Sequence, residues 1–292
     1  MYQLLALLTG ITLSVMISIN GNLSNQYGVF LSAVIIHVVG SLSAFIMCIF
    51  KKDKKPLFTH SPKWIYLGGA IGVCSTVFNN LAYSHISMTS IVALGLLGQA
   101  LTSLLIDRFG LLGMQKQNFS KTSIPGFIIA FSGMIFMLDT SISDSIIAVF
   151  VSLATGISVV LSRTVNARLA EKTGALQGSL INHLVGLPIT IVIAIIAGNI
   201  YPAASVSTIK PWIYFGGILG VAVVLLFNVT VPKISAFKLT ILTFIGQVFT
   251  GIGLDLIIGN NYSNNSFIGG IIISCGIAIN LFFERRSTQN NA

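Results

Sequence analysis

Charged residues are scarce in this chain. Only 8% of its 292 residues are Asp, Glu, Lys or Arg, whereas 54% are hydrophobic, and the mean hydropathy is +0.91. A soluble globular domain carries about 25% charged residues, because its surface must stay hydrated. The composition therefore excludes an ordinary soluble protein.

Cysteines are few, and the sequence signatures of enzymes are missing. Cys48, Cys74 and Cys275 each stand alone in or at the end of an apolar run, and no C-x-x-C pair occurs. The chain contains no G-x-S-x-G, H-E-x-x-H or G-x-x-x-x-G-K-[ST] motif and no cluster of acidic residues. Such motifs supply a nucleophile, a metal site or a phosphate cradle. We therefore expect neither an enzyme nor an ATP-driven pump, and no metal or other cofactor.

Long apolar runs are what the chain does contain. Each is about 17 to 25 residues long, enough for a helix to cross the roughly 30 Å hydrocarbon core of a bilayer. The first run lacks a small-residue cleavage site, so we expect a retained helix and not a signal peptide. Ten helices are predicted, over residues 3–20, 29–50, 64–84, 88–106, 122–139, 144–163, 175–198, 212–231, 238–258 and 267–283.

The net charge of +9 is explained by membrane topology, so nucleic acid is not an expected partner. With the N-terminus in the cytoplasm, Lys210 is the one basic residue of the outer connections. Cytoplasmic connections are enriched in Lys and Arg, so this bias predicts that both termini are cytoplasmic. The inner connections hold Lys51, Lys52, Lys54, Lys55, Lys63, Arg108, Lys116, Lys121, Arg163, Arg168, Lys172, Lys233, Lys238, Arg285 and Arg286.

The chain repeats a five-helix unit. The stretch GQALTSLLID at 98–107 returns as GQVFTGIGLD at 246–255, and WIYLGGAIGV from Trp64 returns as WIYFGGILGV from Trp212. The predicted domains are residues 1–140 and 141–292. Because five is odd, the second copy must enter the membrane upside down, which gives a pseudo-two-fold axis in the membrane plane. The predicted fold class is an all-α integral membrane protein with ten transmembrane helices in two inverted five-helix repeats.

Gln99 and Gln247 fall near the predicted bilayer midplane. Polar groups at that depth are costly and normally face the bundle interior or a wet cavity. Two interpretations stay open: contact with a substrate, or a hydrogen bond between helices. Thr102 and Thr250 follow three residues later on the same helix face and could complete either arrangement.

His37 and His183 form a second pair at the midplane, one in each copy. A neutral imidazole bonded to a carbonyl or hydroxyl is the simpler interpretation. The alternative is that the pair carries a coupling proton, because histidine titrates near neutral pH. Together with the glutamines, the histidines are predicted to line one central substrate site.

Four further polar residues are weaker candidates. Asp107 and Asp255 come eight residues after the glutamines, about 12 Å along a helix, and thus near opposite membrane faces. We expect them to be solvated or, for Asp107, paired with a basic neighbour such as Arg108; a gating role is the alternative. Asn80 and Asn228 occupy equivalent positions deeper in the membrane and are candidates for substrate binding.

The motif GQALTSLLIDRFG, the W-x-x-x-G-G-x-x-G opening of helix 3 and the five-helix repeat resemble the bacterial YdcZ-type family of the drug/metabolite transporter superfamily. The resemblance covers both halves, so the chain looks like a fused, ten-helix form of a five-helix unit. It departs after Asp255, where LIIG replaces the aromatic residue and glycine of the family pattern. The resemblance implies a secondary carrier with a central cavity, and export as the commoner direction.

The expected function is secondary active transport of a small polar or amphipathic metabolite by alternating access, with efflux favoured and proton coupling left open. Uptake of a metabolite or organic cation is one alternative, and a passive channel or accessory membrane protein is another. The expected location is the bacterial cytoplasmic membrane. The expected partners are the lipid bilayer, a small-molecule substrate and protons, with a homodimer as a further option.

Overall fold

The computed structural model of the protein describes residues 1–52, 55–83, 85–86, 88–117, 124–143, 145–197, 210–258 and 264–290. Within these ranges the side chains of Asn80 and Asp255 lie outside the description, so those two predictions are not placed. The described residues form ten α-helices: α1 Tyr2–Tyr27, α2 Val29–Phe50, α3 Gly68–Tyr83, α4 Met88–Phe109, α5 Ile124–Phe136, α6 Ile146–Thr173, α7 Ala175–Ile196, α8 Phe215–Thr230, α9 Ala236–Ile258 and α10 Asn264–Asn290.

The helices have the dimensions of a membrane protein. Seven helical segments in the described ranges are long and apolar enough to cross a bilayer, and two shorter apolar helices accompany them. Large apolar side chains stay exposed on the outside of the bundle, for example Leu42, Phe45 and Ile49 along α2. Such a stripe suits contact with lipid, where no hydrophobic penalty applies. The all-helical membrane architecture is confirmed.

Helix α6 ends ten residues later than predicted. The apolar run ends at Arg163, but the helix continues to Thr173 and ends where Gly174 adopts φ +96°. Its last turns carry polar residues that are buried against neighbouring helices, among them Asn166 at 3% exposure. Hydrogen-bond partners within the bundle replace water for these polar side chains. The helix therefore continues beyond the point where the sequence becomes polar.

Glycines bring helices of the two copies into close contact. A Cβ added at Gly10 of α1 would overlap the Thr243 carbonyl of α9, and one at Gly156 of α6 would overlap the Gly95 carbonyl of α4. Gly156 is the repeat equivalent of Gly10. Small residues permit such backbone approach in membrane bundles. The same contact is therefore made twice, once by each copy.

Equivalent helices of the two copies run antiparallel where they meet. In the α2–α7 pair, Gly40 faces the ring of His183 and Gly186 faces the ring of His37. In the α4–α9 pair, Ser103 contacts Thr240, whereas Asp107, one turn later in α4, contacts Ala236, one turn earlier in α9. Antiparallel pairing of equivalent helices is the arrangement that an inverted duplication produces.

The packing departs from symmetry around α3 and α8. Helix α8 packs against both α6 and α7, whereas its equivalent α3 makes no comparable contact with α1 or α2 in the described residues. The second copy is therefore closed among its first three helices, and the first copy is open there. Residues of α1, α2 and α3 line one side of a cavity between the copies.

Candidate functional site

Two adjoining cavities lie between the copies. The larger, about 480 Å³, is lined by α1, α2 and α3 of the first copy and α6, α7 and α8 of the second. The smaller, about 340 Å³, lies mainly among α1, α4, α6 and α9. Ile17, Val159 and Phe227 line both cavities and so stand between them. Each volume suits a small organic solute.

The two histidines meet in the larger cavity. Their ring centroids are 5.8 Å apart across the α2–α7 contact. His37 Nδ1 lies 2.9 Å from the Ala33 carbonyl and His183 Nδ1 lies 2.8 Å from the Ser179 carbonyl, each one turn earlier in its own helix. If Nδ1 carries the proton in each, Nε2 is the remaining acceptor. The structure thus unites the predicted pair, in the geometry expected for neutral imidazoles.

A second symmetric pair, Asn20 and Asn166, lies at the two ends of the larger cavity. The Asn20 amide rests against Gly216 near the start of α8, and the Asn166 amide rests against Gly68 at the start of α3. Asn166 also donates to Asn182 Oδ1 at 2.7 Å. Asn20 is the last residue of the predicted first helix, but α1 continues to Tyr27 and so holds Asn20 within the bundle.

Asn228 lines the larger cavity. Its Nδ2 donates to the Ala175 carbonyl at the start of α7, at 2.9 Å. Its Oδ1 is buried and has no hydrogen-bond partner, and the same holds for Oδ1 of Asn20 and Asn166, which pack against glycines of α8 and α3. Three residues of the lining therefore carry amide oxygens that the described residues do not bond.

Arg163 is the charged residue of the larger cavity. Its side chain is 4% exposed, and its Cζ lies 5.5 Å from the centre of the Phe227 ring. Nη2 donates to Thr240 Oγ1 at 2.5 Å, and to Ser103 Oγ and the Ala236 carbonyl at 3.3 Å. Its assignment to a cytoplasmic connection is therefore wrong. A buried guanidinium is costly and normally marks a functional site in a membrane protein.

Asp107 is also buried, at 1% exposure, so the expectation of a solvated carboxylate is wrong. It accepts hydrogen bonds from the backbone N–H groups of Ala236 and Phe237 at 2.8 and 2.9 Å. These are the first N–H groups of α9, where a carboxylate satisfies unpaired donors and the helix dipole together. The carboxylate therefore ties the end of α4 to the start of α9.

Gln99 and Gln247 line the smaller cavity together with Thr155, Thr240 and Thr243. The two glutamine side chains make no hydrogen bond in the described part of the chain. The hydrogen bond between helices that was one of their two interpretations is therefore not formed there. The glutamines line the smaller of the two adjoining cavities and the histidines line the larger, with Ile17 and Phe227 in both linings. One central site that includes all four residues stays a prediction.

Thr102 and Thr250 line neither cavity. Thr102 Oγ1 donates to the Gly98 carbonyl of its own helix at 2.7 Å. A hydroxyl bonded to the preceding turn is a common arrangement for threonine in an apolar helix. Spacing of three residues from a glutamine was therefore insufficient to place a threonine in the site.

Arg163, Asn20, Asn166 and Asn182 are site residues that sequence reasoning missed. The repeat itself contained the signal for Arg163, because aligning Gly10 with Gly156 places Arg163 opposite Ile17, inside a predicted membrane helix. The same alignment places Asn166 opposite Asn20. If the predicted helix 6 is extended to match the first copy, both Arg163 and Asn166 fall within it.

Comparison with known families agrees with this architecture. The profile of the family described as "Putative inner membrane exporter, YdcZ" matches residues 1–136 and 147–279. The chain belongs to the YdcZ family. It is a multi-pass inner-membrane protein and a membrane transporter, and the expected resemblance is confirmed.

Solved structures support the fold alone. One, described only as "Crystal structure of protein", has a TM-score of 0.71 at 12% identity and aligns over 98% of this chain and 96% of its own. Twenty-eight solved chains match in total. No curated protein sequence matches significantly.

Proposed function

We propose that this transporter is a secondary carrier that exports a small solute by alternating access. The observation that carries the proposal is the larger cavity, which lies between antiparallel copies and is closed among helices of one copy only. Two similar halves can exchange such packings at similar energy, which alternating access requires. Export is proposed because the family description names an exporter.

The proposal includes the orientation predicted from charge: ten spans, inverted copies and both termini in the cytoplasm. In this orientation the connection between α1 and α2 faces outward. Asn20, Gly21 and Ser24 line the cavity near this connection, and Gly21 is exposed. At the opposite end Asn166 is buried. The structure would then be open to the outside and closed to the cytoplasm.

Proton coupling through His37 and His183 is part of the proposal. Histidine is the side chain that ordinarily titrates nearest neutral pH, and His37 and His183 are the two histidines in the lining of the larger cavity. Uptake of an organic cation is the less suitable alternative, because the same lining contains no carboxylate and one guanidinium.

Cysteine accessibility tests alternating access without knowledge of the solute. In a background with Cys48, Cys74 and Cys275 replaced by alanine, Asn20→Cys and Asn166→Cys are treated with a membrane-impermeant thiol reagent. We expect Cys at 20 to react from the outer side and Cys at 166 to be protected there. From the cytoplasmic side, in inverted vesicles, we expect reaction at 166 and protection at 20.

Other outcomes would contradict the carrier. Reaction of both positions from one side would indicate a continuous pore, as in a passive channel. Protection of both positions from both sides would indicate no solute pathway, as in an accessory protein.

A further inference from the structure

The lining of the larger cavity carries a positive charge and no carboxylate. Among its lining residues Arg163 is charged and none is acidic. In the described part of the chain Arg163 forms no ion pair, whereas Arg168 of the same helix pairs with Glu171. Asp107 of α4 interacts electrostatically with Arg163 from outside the lining, but both of its oxygens accept backbone N–H groups of the first turn of α9.

The hydrogen-bonding capacity of Arg163 is only partly used. Its Nη2 has three neutral oxygen acceptors, whereas Nε and Nη1 are buried and have no partner. Arginine is always charged and prefers planar oxyanions. A buried donor without a partner is costly, so its retention at a cavity wall points to a partner that comes and goes.

The remaining wall suits the other end of such a partner. Asn20, Asn166 and Asn228 line the same cavity, and each has a buried Oδ1 without a partner, which can accept an N–H or O–H group when its side chain turns toward a solute. Phe227 adds an aromatic face beside the guanidinium. The cavity thus combines one cation, several neutral acceptors and an apolar surface.

We propose that the transported solute bears a carboxylate and that Arg163 binds it. This inference rests on the proposed carrier function and names its substrate class. A carboxylate matches the planar fork of one guanidinium, whereas a phosphate monoester brings a charge of about −1.5 to −2 for which the lining offers one arginine. The asparagine oxygens would receive amino or hydroxyl hydrogens of the same solute.

The test uses purified full-length protein and probes that differ only in their head group. Carboxylate, amide, amine and phosphate monoester versions are prepared on propyl, isopentyl and phenylethyl frames, and binding is followed by the rise in Tm. On at least one frame we expect the carboxylate to bind about tenfold more tightly than the amide, because it adds a charge-assisted hydrogen bond. We expect no stabilisation by the amine.

Arg163→Gln should weaken carboxylate binding by about ten- to a hundredfold, as loss of a charged hydrogen-bond partner implies. Arg168→Gln is the matched control, because Arg168 lies on the same helix, pairs with Glu171 at 2.8 Å and lines neither cavity. We expect its binding to equal that of the unmodified protein. If Arg163→Gln fails to fold, the head-group series on the unmodified protein still decides the sign of the charge.

Several results would overturn the proposal. They are preference for the amine or the phosphate, equal binding of carboxylate and amide, no stabilisation by any carboxylate, and carboxylate binding that survives Arg163→Gln. If the cysteine labelling follows alternating access while one of these occurs, only the substrate class fails. If the labelling shows a pore or no pathway, the carrier function itself fails.

Discussion

Helices α1 and α6 are equivalent in the repeat and differ in what they contribute. Both use a glycine, Gly10 or Gly156, for close contact with the other copy. About two turns further along, α1 carries Ile17, which is 42% exposed, and α6 carries Arg163, which is 4% exposed. The scaffold is therefore symmetric and the charge is not. The repeat accounts for the two-fold packing, whereas the buried charge belongs to one copy.

The two copies also differ in how closely their first three helices pack. Asn166 is buried and donates to Asn182, whereas Asn20 is partly exposed. Helix α8 packs on α6 and α7, whereas α3 makes no comparable contact with α1 or α2. A conformation in which equivalent contacts are made on one side only is what a two-state carrier populates at each end of its cycle.

The largest expected effect tests the symmetric part. Gly10→Val and Gly156→Val should each lower the free energy of unfolding by about 3 kcal/mol or more, because the added carbons meet backbone carbonyls that cannot move aside. Thermal unfolding in detergent measures the loss. Gly253→Val is the control, because a Cβ there meets nothing within 4 Å. A loss of stability in only one of the two variants would contradict equivalent packing of the copies.

A smaller effect of opposite sign is expected where the copies diverge. Arg163→Ile places in α6 the residue found at the equivalent position in α1, and should raise stability by about 1 kcal/mol. The variant removes a buried charge with unpaired donors. Its neutral partners stay satisfied, since Ser103 and Thr240 contact each other at 2.8 Å and Thr240 donates to the Ala236 carbonyl.

Thermal unfolding of Arg163→Ile beside the unmodified protein checks this expectation. A large loss of stability would show that the guanidinium holds the helices together. A gain, combined with lost carboxylate binding, would show that stability was given up for function.

The smallest structural effect concerns the histidine pair. His37→Gln with His183→Gln should keep the fold and remove the pH dependence of flux between about pH 5 and 8, because glutamine does not titrate in that range. The measurement is flux of the tightest-binding carboxylate probe into proteoliposomes. The single variants serve as controls, with a partial loss expected in each. An unchanged pH profile in the double variant would exclude these imidazoles as proton carriers.

Part of the site could be predicted from the sequence because duplication marks residues twice. His37 and His183 are separated by the repeat length and reach the same cavity. Arg163 has no equivalent arginine in the first copy and stands at the end of an apolar run, so the sequence predicts that it lies in a connection. Asp107 was expected to meet water for a similar reason, since nothing local shows that α9 begins beside it. Gln99 and His37 were placed at one depth, but depth does not show whether Ile17 and Phe227 separate them.

The sequence by itself determined that the protein is a membrane-embedded helical bundle built from two copies. Apolar run length, the scarcity of charge and the repeated motifs are local properties, and the bilayer permits few structures that satisfy the backbone. Only the tertiary structure decided which polar groups share a cavity, which are paired and which copy is closed. Those outcomes depend on contacts between residues far apart in the chain, such as Arg163 with Thr240, whose energies no local pattern records.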